Sequence, residues 1–228
     1  MKRRDVLGAV AGVCPLLAAG CLGADRDGDT TATTATTSTR TATETATTAE
    51  TTTETYESPA ASEFAFAARV LGESPKDSPP RIGVELTNET DHSIVVSDGA
   101  LLPFTNFHST DGALALVPDD REYVFPVNGD RLIPASRDDC WTLGANIAVN
   151  DIGLQKALDP GASATTKFSI LASSSDPCLE AGTYRFENTV SVRDGRADPG
   201  STPSSHLGLS FTVERTADGG ITEASGTI

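Results

Sequence analysis

The chain is short of the residues that nucleic-acid binders, metal centres and many active sites depend on. Its 17 basic residues include only four lysines and face 32 acidic residues, so the formal net charge is −15. A nucleic acid needs a basic footprint that displaces its counterions; that footprint is missing, and nucleic acid is excluded as a partner. Histidine is limited to His92, His108 and His206, far apart along the chain, and there are only four cysteines. No four-ligand metal spacing results. No serine sits in a nucleophile elbow, and no glycine-rich loop follows a strand pattern. Asp119-Asp120 and Asp138-Asp139 are the adjacent carboxylates, but among 32 acids such neighbours arise from composition alone. The expectation is a non-enzyme without a cofactor.

Long hydrophobic runs are equally scarce. One uncharged stretch, Val6–Ala24, covers 19 residues. That is close to the roughly 20 a spanning helix needs. Gly8, Gly12, Gly20, Gly23 and Pro15 interrupt it. With Lys2, Arg3 and Arg4 ahead of it and small residues behind, residues 1–20 read as a signal peptide. Arg3-Arg4-Asp5-Val6-Leu7 resembles the twin-arginine export signal, two arginines followed by one residue and two hydrophobics. Leu17-Ala18-Ala19-Gly20-Cys21 resembles a lipobox, which makes Cys21 the lipidated N-terminus after cleavage. Ala18 stands where that motif prefers a larger aliphatic, and an uncleaved anchor helix is the competing reading. Two lipid chains on Cys21 would hold the protein stably at the membrane.

Residues 21–61 read as a disordered, lipid-anchored linker. Sixteen of the 26 residues from Thr30 to Thr55 are threonine, and none of the 26 is an apolar residue larger than alanine. Nothing there offsets an ordering cost of roughly 1–2 kcal/mol per residue. Threonine-rich tracts of this kind resemble O-glycosylated stalks. Asp25–Asp29 alternates aspartates, but glycine stands fourth and Thr36 twelfth, so no calcium loop is formed.

Residues 62–216 carry the folding information. Phe64, Phe66, Ala68 and Val70 alternate with more polar neighbours, as do Ile82, Val84 and Leu86, and Leu207, Leu209, Phe211 and Val213. Tyr184, Phe186, Val190 and Val192 share one parity that Asn188 interrupts. Period two means half-buried strands. Asn88–Asp91, Asp98-Gly99, Asp111-Gly112, Asn128-Gly129, Asp159-Pro-Gly161 and Asp194-Gly195 supply turns between them. The pattern predicts an all-β, immunoglobulin-like antiparallel sandwich. A helix is expected only near Asn150–Leu158, and residues 217–228 read as a flexible tail.

Cys140 and Cys178 remain for the exported domain. A disulfide between them is the favoured reading, with Trp141 beside it in the core; two buried thiols and a metal ligand pair are the alternatives. Cys178–Phe186 contains Leu, Gly and Tyr184 ahead of an alternating strand, which resembles the tyrosine corner of Greek-key domains. A ligand contact is the other reading of Tyr184. Asn88-Glu89-Thr90 is the one Asn-x-Thr sequon, expected exposed in a turn and open to N-glycosylation.

Loss of residues 1–20 leaves 14 basic and 31 acidic residues, a net −17. Acid excess, few lysines, abundant threonine, the twin-arginine signal and the lipobox together resemble secreted lipoproteins of halophilic archaea. The resemblance implies a lipid anchor on the extracellular face of the cell membrane and an unknown protein or envelope partner. Its functional counterpart is a surface interaction module, in adhesion, envelope organisation or support of an exported complex. A solute- or cation-binding lipoprotein of a transport system is the alternative.

Overall fold

The structure is a computed structural model, and it describes residues 56–72, 77–129, 131–135, 140–173, 180–197 and 203–228. Expectations for Arg3, Arg4, Cys21, the Thr-rich tract, Asp138-Asp139 and Cys178 lie outside the described residues. The described residues form antiparallel sheets with two short 3-10 turns, Ala61–Glu63 and Val127–Gly129. In chain order the strands are β1 (Phe64–Gly72), β2 (Arg81–Asn88), β3 (Ile94–Asp98), β4 (Leu114–Pro118), β5 (Val124–Pro126), β6 (Ile147–Val149), β7 (Leu154–Leu158), β8 (Ser163–Ala172), β9 (Gly182–Asp194), β10 (Ser205–Arg215) and β11 (Ile221–Thr227).

One sheet runs β1-β2-β8-β4 and another β11-β10-β9-β3-β7; β5 and β6 make a separate two-stranded ribbon. Alternation places Phe66, Ile82, Val84 and Leu86 of the first sheet and Phe186, Val190, Leu209, Phe211 and Val213 of the second in one common core. Four phenylalanines link the sheets. Phe66 stacks on Phe104 at 6.4 Å between centroids, Phe104 meets Phe211 edge-on at 5.0 Å, and Phe211 stacks on Phe186 at 4.8 Å. Such pairs add to the area burial of each ring because edge and face carry opposite partial charge.

Asn188 interrupts the apolar parity of β9 for a reason visible in its partners. Its Nδ2 donates to Asp98 Oδ2 at 2.6 Å and to Pro103 O at 3.1 Å. The strand thereby fixes the β3–β4 loop, which carries Phe104 into the core. Asp98 is partly withdrawn from water, and desolvation pushes its carboxyl above the usual value against the pull of Asn188 and the Gly99 amide.

Three sequence expectations are corrected. The stretch near Asn150–Leu158 is not helical: β7 pairs with β3 in the register Ile94↔Leu158 to Asp98↔Leu154. An isolated helix of that length is marginal, whereas β3 offers a ready ladder. Residues 217–228 are not a free tail, because Ile221–Thr227 adds to β10 as an edge strand. Its single large apolar anchor, Ile221, is 5% exposed. Folded contacts also begin before residue 62. Ser58 Oγ donates to Pro203 O at 3.2 Å, Ser205 Oγ to Pro59 O at 2.8 Å, and Arg196 lies over the Tyr56 ring at 5.4 Å.

Candidate functional site

Strand order determines where a cleft forms. At one border of the two sheets β1 and β11 run side by side. A Cβ built on Gly226 would come within 3.0 Å of Ala68 N and Phe66 Cδ1, so glycine is needed there to let the backbones approach. The opposite border is formed by β4 and β7, and the turn after β4, from Asp119 to Tyr123, lies along it. A cleft of ≈ 560 Å³ sits at this border, with Leu101, Leu102 and Leu154 as apolar lining and Asp119, Asp120, Glu122, Tyr123 and Lys167 as polar lining.

Turn chemistry positions the acids. Asp119 follows β4 directly, its backbone N–H donates to Lys167 O at 3.0 Å, and its carboxylate pairs with Arg81. Asp120 Oδ1 accepts the Glu122 N–H at 3.1 Å. Neither Asp120 nor Glu122 has an ion-pair partner among the described residues. Their charge acts on Tyr123: the hydrogen bond its phenol donates to Glu122, then the field of Glu122, burial and the field of Asp120, raise it above the usual value. The sequence marked Asp119-Asp120 only as a compositional pair; the fold adds Glu122, Tyr123 and the leucines.

The β5–β6 ribbon adjoins this border. Phe125↔Ala148 and Pro126↔Ile147 are cross-strand partners, and Val127 N and Asn150 N extend the ladder at both ends. Phe125 is 44% exposed, Val127 37% and Val149 42%, which are three of the five large apolar side chains standing in solvent among the described residues. The turn after β5 uses Asn128 and Gly129 at φ of 69° and 78°.

A second polar cluster surrounds Asp194, which is 1% exposed. Arg196 grips it from Nε at 3.0 Å and Nη2 at 2.6 Å, and His92 Nε2 stands at 3.4 Å. Arg196 holds the Asp194 carboxyl below the usual range, more strongly than burial raises it. His92 Nδ1 faces exposed Asp91 at 2.9 Å, a contact that lowers Asp91. This cluster was not legible in the sequence, since its two halves, Asp91-His92 and Asp194–Arg196, lie about a hundred residues apart and carry no motif. His108 and His206 are not brought to it. Among the described residues no group of three His, Cys, Asp or Glu side chains is placed to hold a metal.

Tyr184 Oη donates to Glu180 O at 2.9 Å, four residues upstream. Asn88 is corrected: it is fully buried instead of exposed. Its Nδ2 donates to His92 O at 2.8 Å and Leu158 O at 2.9 Å, and its Oδ1 accepts from Thr90 N and Oγ1. The amide a glycan would modify therefore ties the β2–β3 turn to the end of β7. Cys140 Sγ lies 3.9 Å from Thr142 Oγ1, while the Cys140–Cys178 pairing involves a residue outside the described ones. Comparison with protein-family models, with curated proteins and with solved structures finds no match to this chain.

Proposed function

We propose that this chain is a cell-surface lipoprotein, exported through Arg3-Arg4, anchored to the membrane by lipid on Cys21, and presenting an immunoglobulin-like β-sandwich on a Thr-rich stalk as an interaction module. The observation that carries this reading is the exposure of Phe125, Val127 and Val149 on and beside the β5–β6 ribbon, whose Val124 packs into the core. Apolar side chains grouped on one exposed element mark contact surfaces more often than scattered ones do. The sandwich assignment is supported by two antiparallel sheets around one core and by the Tyr184–Glu180 bond. The Cys140–Cys178 bridge is part of the proposal, supported by the two cysteines left in a domain read as exported, where oxidation is permitted. The halophile resemblance is supported by the acid excess, and predicts a melting temperature that climbs between tenth-molar and multimolar chloride as screening relieves self-repulsion.

A second reading, a solute- or cation-binding lipoprotein, has the cleft in its favour: ≈ 560 Å³ with aliphatic walls and three carboxylates is a ligand-sized space. Crosslinked pull-down of the native protein from its membranes at working salt separates the two. The interaction module expects a protein partner whose yield falls in Phe125→Ser. An unchanged yield in that variant, with loss in Asp120→Asn, favours the binder. A Cys21→Ser protein with unchanged mass and membrane partitioning would sink the lipid anchor.

A further inference from the structure

Strand β8 loses its neighbour part-way along one edge. Towards β2 its even residues carry the ladder, as Asn88 N on Ala162 O at 3.0 Å and Ile170 N on Pro80 O at 2.8 Å show at the two ends. Backbone groups alternate between the two edges of an antiparallel strand, so Thr165, Lys167 and Ser169 turn theirs the other way. There β4 covers Ala172 back to Phe168 and ends at Pro118. Asp119 N then takes Lys167 O at 3.0 Å. Beyond that bond, nothing among the described residues pairs with the backbone N–H or C=O of Thr165, which is exposed and lines the cleft. Lys156 Nζ closes the far end of this gap on Ser163 O at 3.1 Å.

The chemistry of the gap restricts its occupant. A backbone donor and acceptor side by side on a strand edge match those of another extended chain. Side chains of an added strand alternate between faces as those of β8 do. The residue opposite Thr165 shares its outer face, and the residues flanking it turn inward. On that inner face Thr166 Oγ1 donates to Leu102 O, and Leu101 and Leu154 complete an apolar lining. The charges are uneven. Arg81 occupies Asp119, whereas Asp120 and Glu122 have no ion-pair partner among the described residues and face Lys167 as the one ammonium of the lining. The surplus is negative, which suits a Lys or Arg on the incoming chain.

We infer that the cleft is a strand-addition slot: an extended segment of a partner protein pairs with the backbone of Thr165, sets an apolar side chain against Leu101, Leu102 and Leu154, and offers a Lys or Arg to Asp120 and Glu122. This deepens the interaction-module reading and rests on it for the existence of a protein partner.

The probes are short acetylated and amidated peptides in which valine alternates with threonine and one lysine is placed at each position in turn. Added to the nitrogen-15-labelled protein, a member of this panel is expected to bind saturably and to slow hydrogen exchange of the Thr165 amide. The valines face inward, so the threonine amides face Thr165. N-methylation of those amides is expected to weaken binding at least tenfold, and N-methylation of the valine amides to leave it. Thr165→Pro removes the N–H that faces the cleft and spares the β2 ladder, which Ala164 and Thr166 carry, so it should weaken binding to the same degree. The methylated peptides carry the test if that variant does not fold. Exchanging lysine for glutamate should weaken binding as well. Absence of saturable binding across the panel, or equal binding of the two methylated frames, overturns the slot. Free lysine or calcium chloride shifting the cleft resonances without protecting the Thr165 amide overturns it in favour of the solute- or cation-binding reading. The pull-down with Phe125→Ser tests the ribbon separately, so failure of the slot leaves the interaction module standing.

Discussion

The two borders of the paired sheets teach different things about how this chain uses its strands. Where β1 meets β11, alternation is regular, Gly226 lets backbones touch, and the core continues to the rim. Where β4 faces β7, the chain leaves the regular pattern. All five residues of β4 are buried, because Phe107–Ser109 cover its outer side through Leu116 N to Phe107 O at 2.8 Å and Ser109 N to Leu114 O at 3.0 Å. Beyond it the polypeptide builds a ribbon and a cleft instead of another core strand. The first border is closed by packing; the second leaves apolar and acidic groups exposed to solvent. β7 itself carries Lys156 mid-strand, which blunts an otherwise pairable edge.

That contrast is open to test, and the largest effect is expected in the core. Phe211→Ala removes the ring that joins both phenylalanine stacks, and should cost about 3–5 kcal/mol in denaturant unfolding. A loss under about 1 kcal/mol would mean that the two sheets do not depend on this column. At the closed border, Gly226→Val should cost about 1–3 kcal/mol through overpacking. Hydrogen exchange should show β11 amides losing protection while β9 and β10 keep theirs; uniform loss would contradict a border held locally.

Asn88→Ala takes the side-chain donor from Leu158 O and one of two from His92 O, and should cost about 1–3 kcal/mol. Intact mass of the native protein should match an unglycosylated Asn88. A sugar at this position would contradict its burial.

Acid should separate the buried carboxyl of Asp194 from the partly exposed one of Asp98. The Asp194 carboxyl is lowered, so its stabilisation is complete above the ordinary carboxylate value of about 3.9 and disappears as pH falls through its own lower value. The Asp98 carboxyl is raised, so protonation as pH falls through its higher value relieves a partly desolvated charge and works in the opposite sense. Stability measured against pH should lose its acid decline in Asp194→Asn and gain steepness in Asp98→Asn. The reverse assignment would overturn the roles given to Arg196 and to burial.

The smallest effect on stability belongs to the open border. Phe125→Ser and Val149→Ser should each change unfolding by less than about 1 kcal/mol, since Phe125 is already 44% and Val149 42% exposed. A larger cost would show that the ribbon is a folding element and weaken its reading as a contact surface.

Period-two alternation alone identifies β1, β2, β9 and β10, because a half-buried strand must place apolar groups on every second residue. Turn residues do the same for Asp159-Pro-Gly161, where Gly161 adopts φ of 74° and the chain passes from one sheet to the other. Composition determines the acid balance and the lack of basic residues for a nucleic-acid footprint. β7 and β11 leave no such signal because their residues are largely exposed and their strand form is imposed by neighbours, β3 and β10. Only the tertiary structure decided that Asn88 turns inward onto Leu158, that Asp194 meets His92, and that Trp141 and Arg215 share a cavity. Each depends on groups brought together by strand pairing across long stretches of chain, and a hydrogen-bond partner supplied from another strand leaves no local period in the sequence.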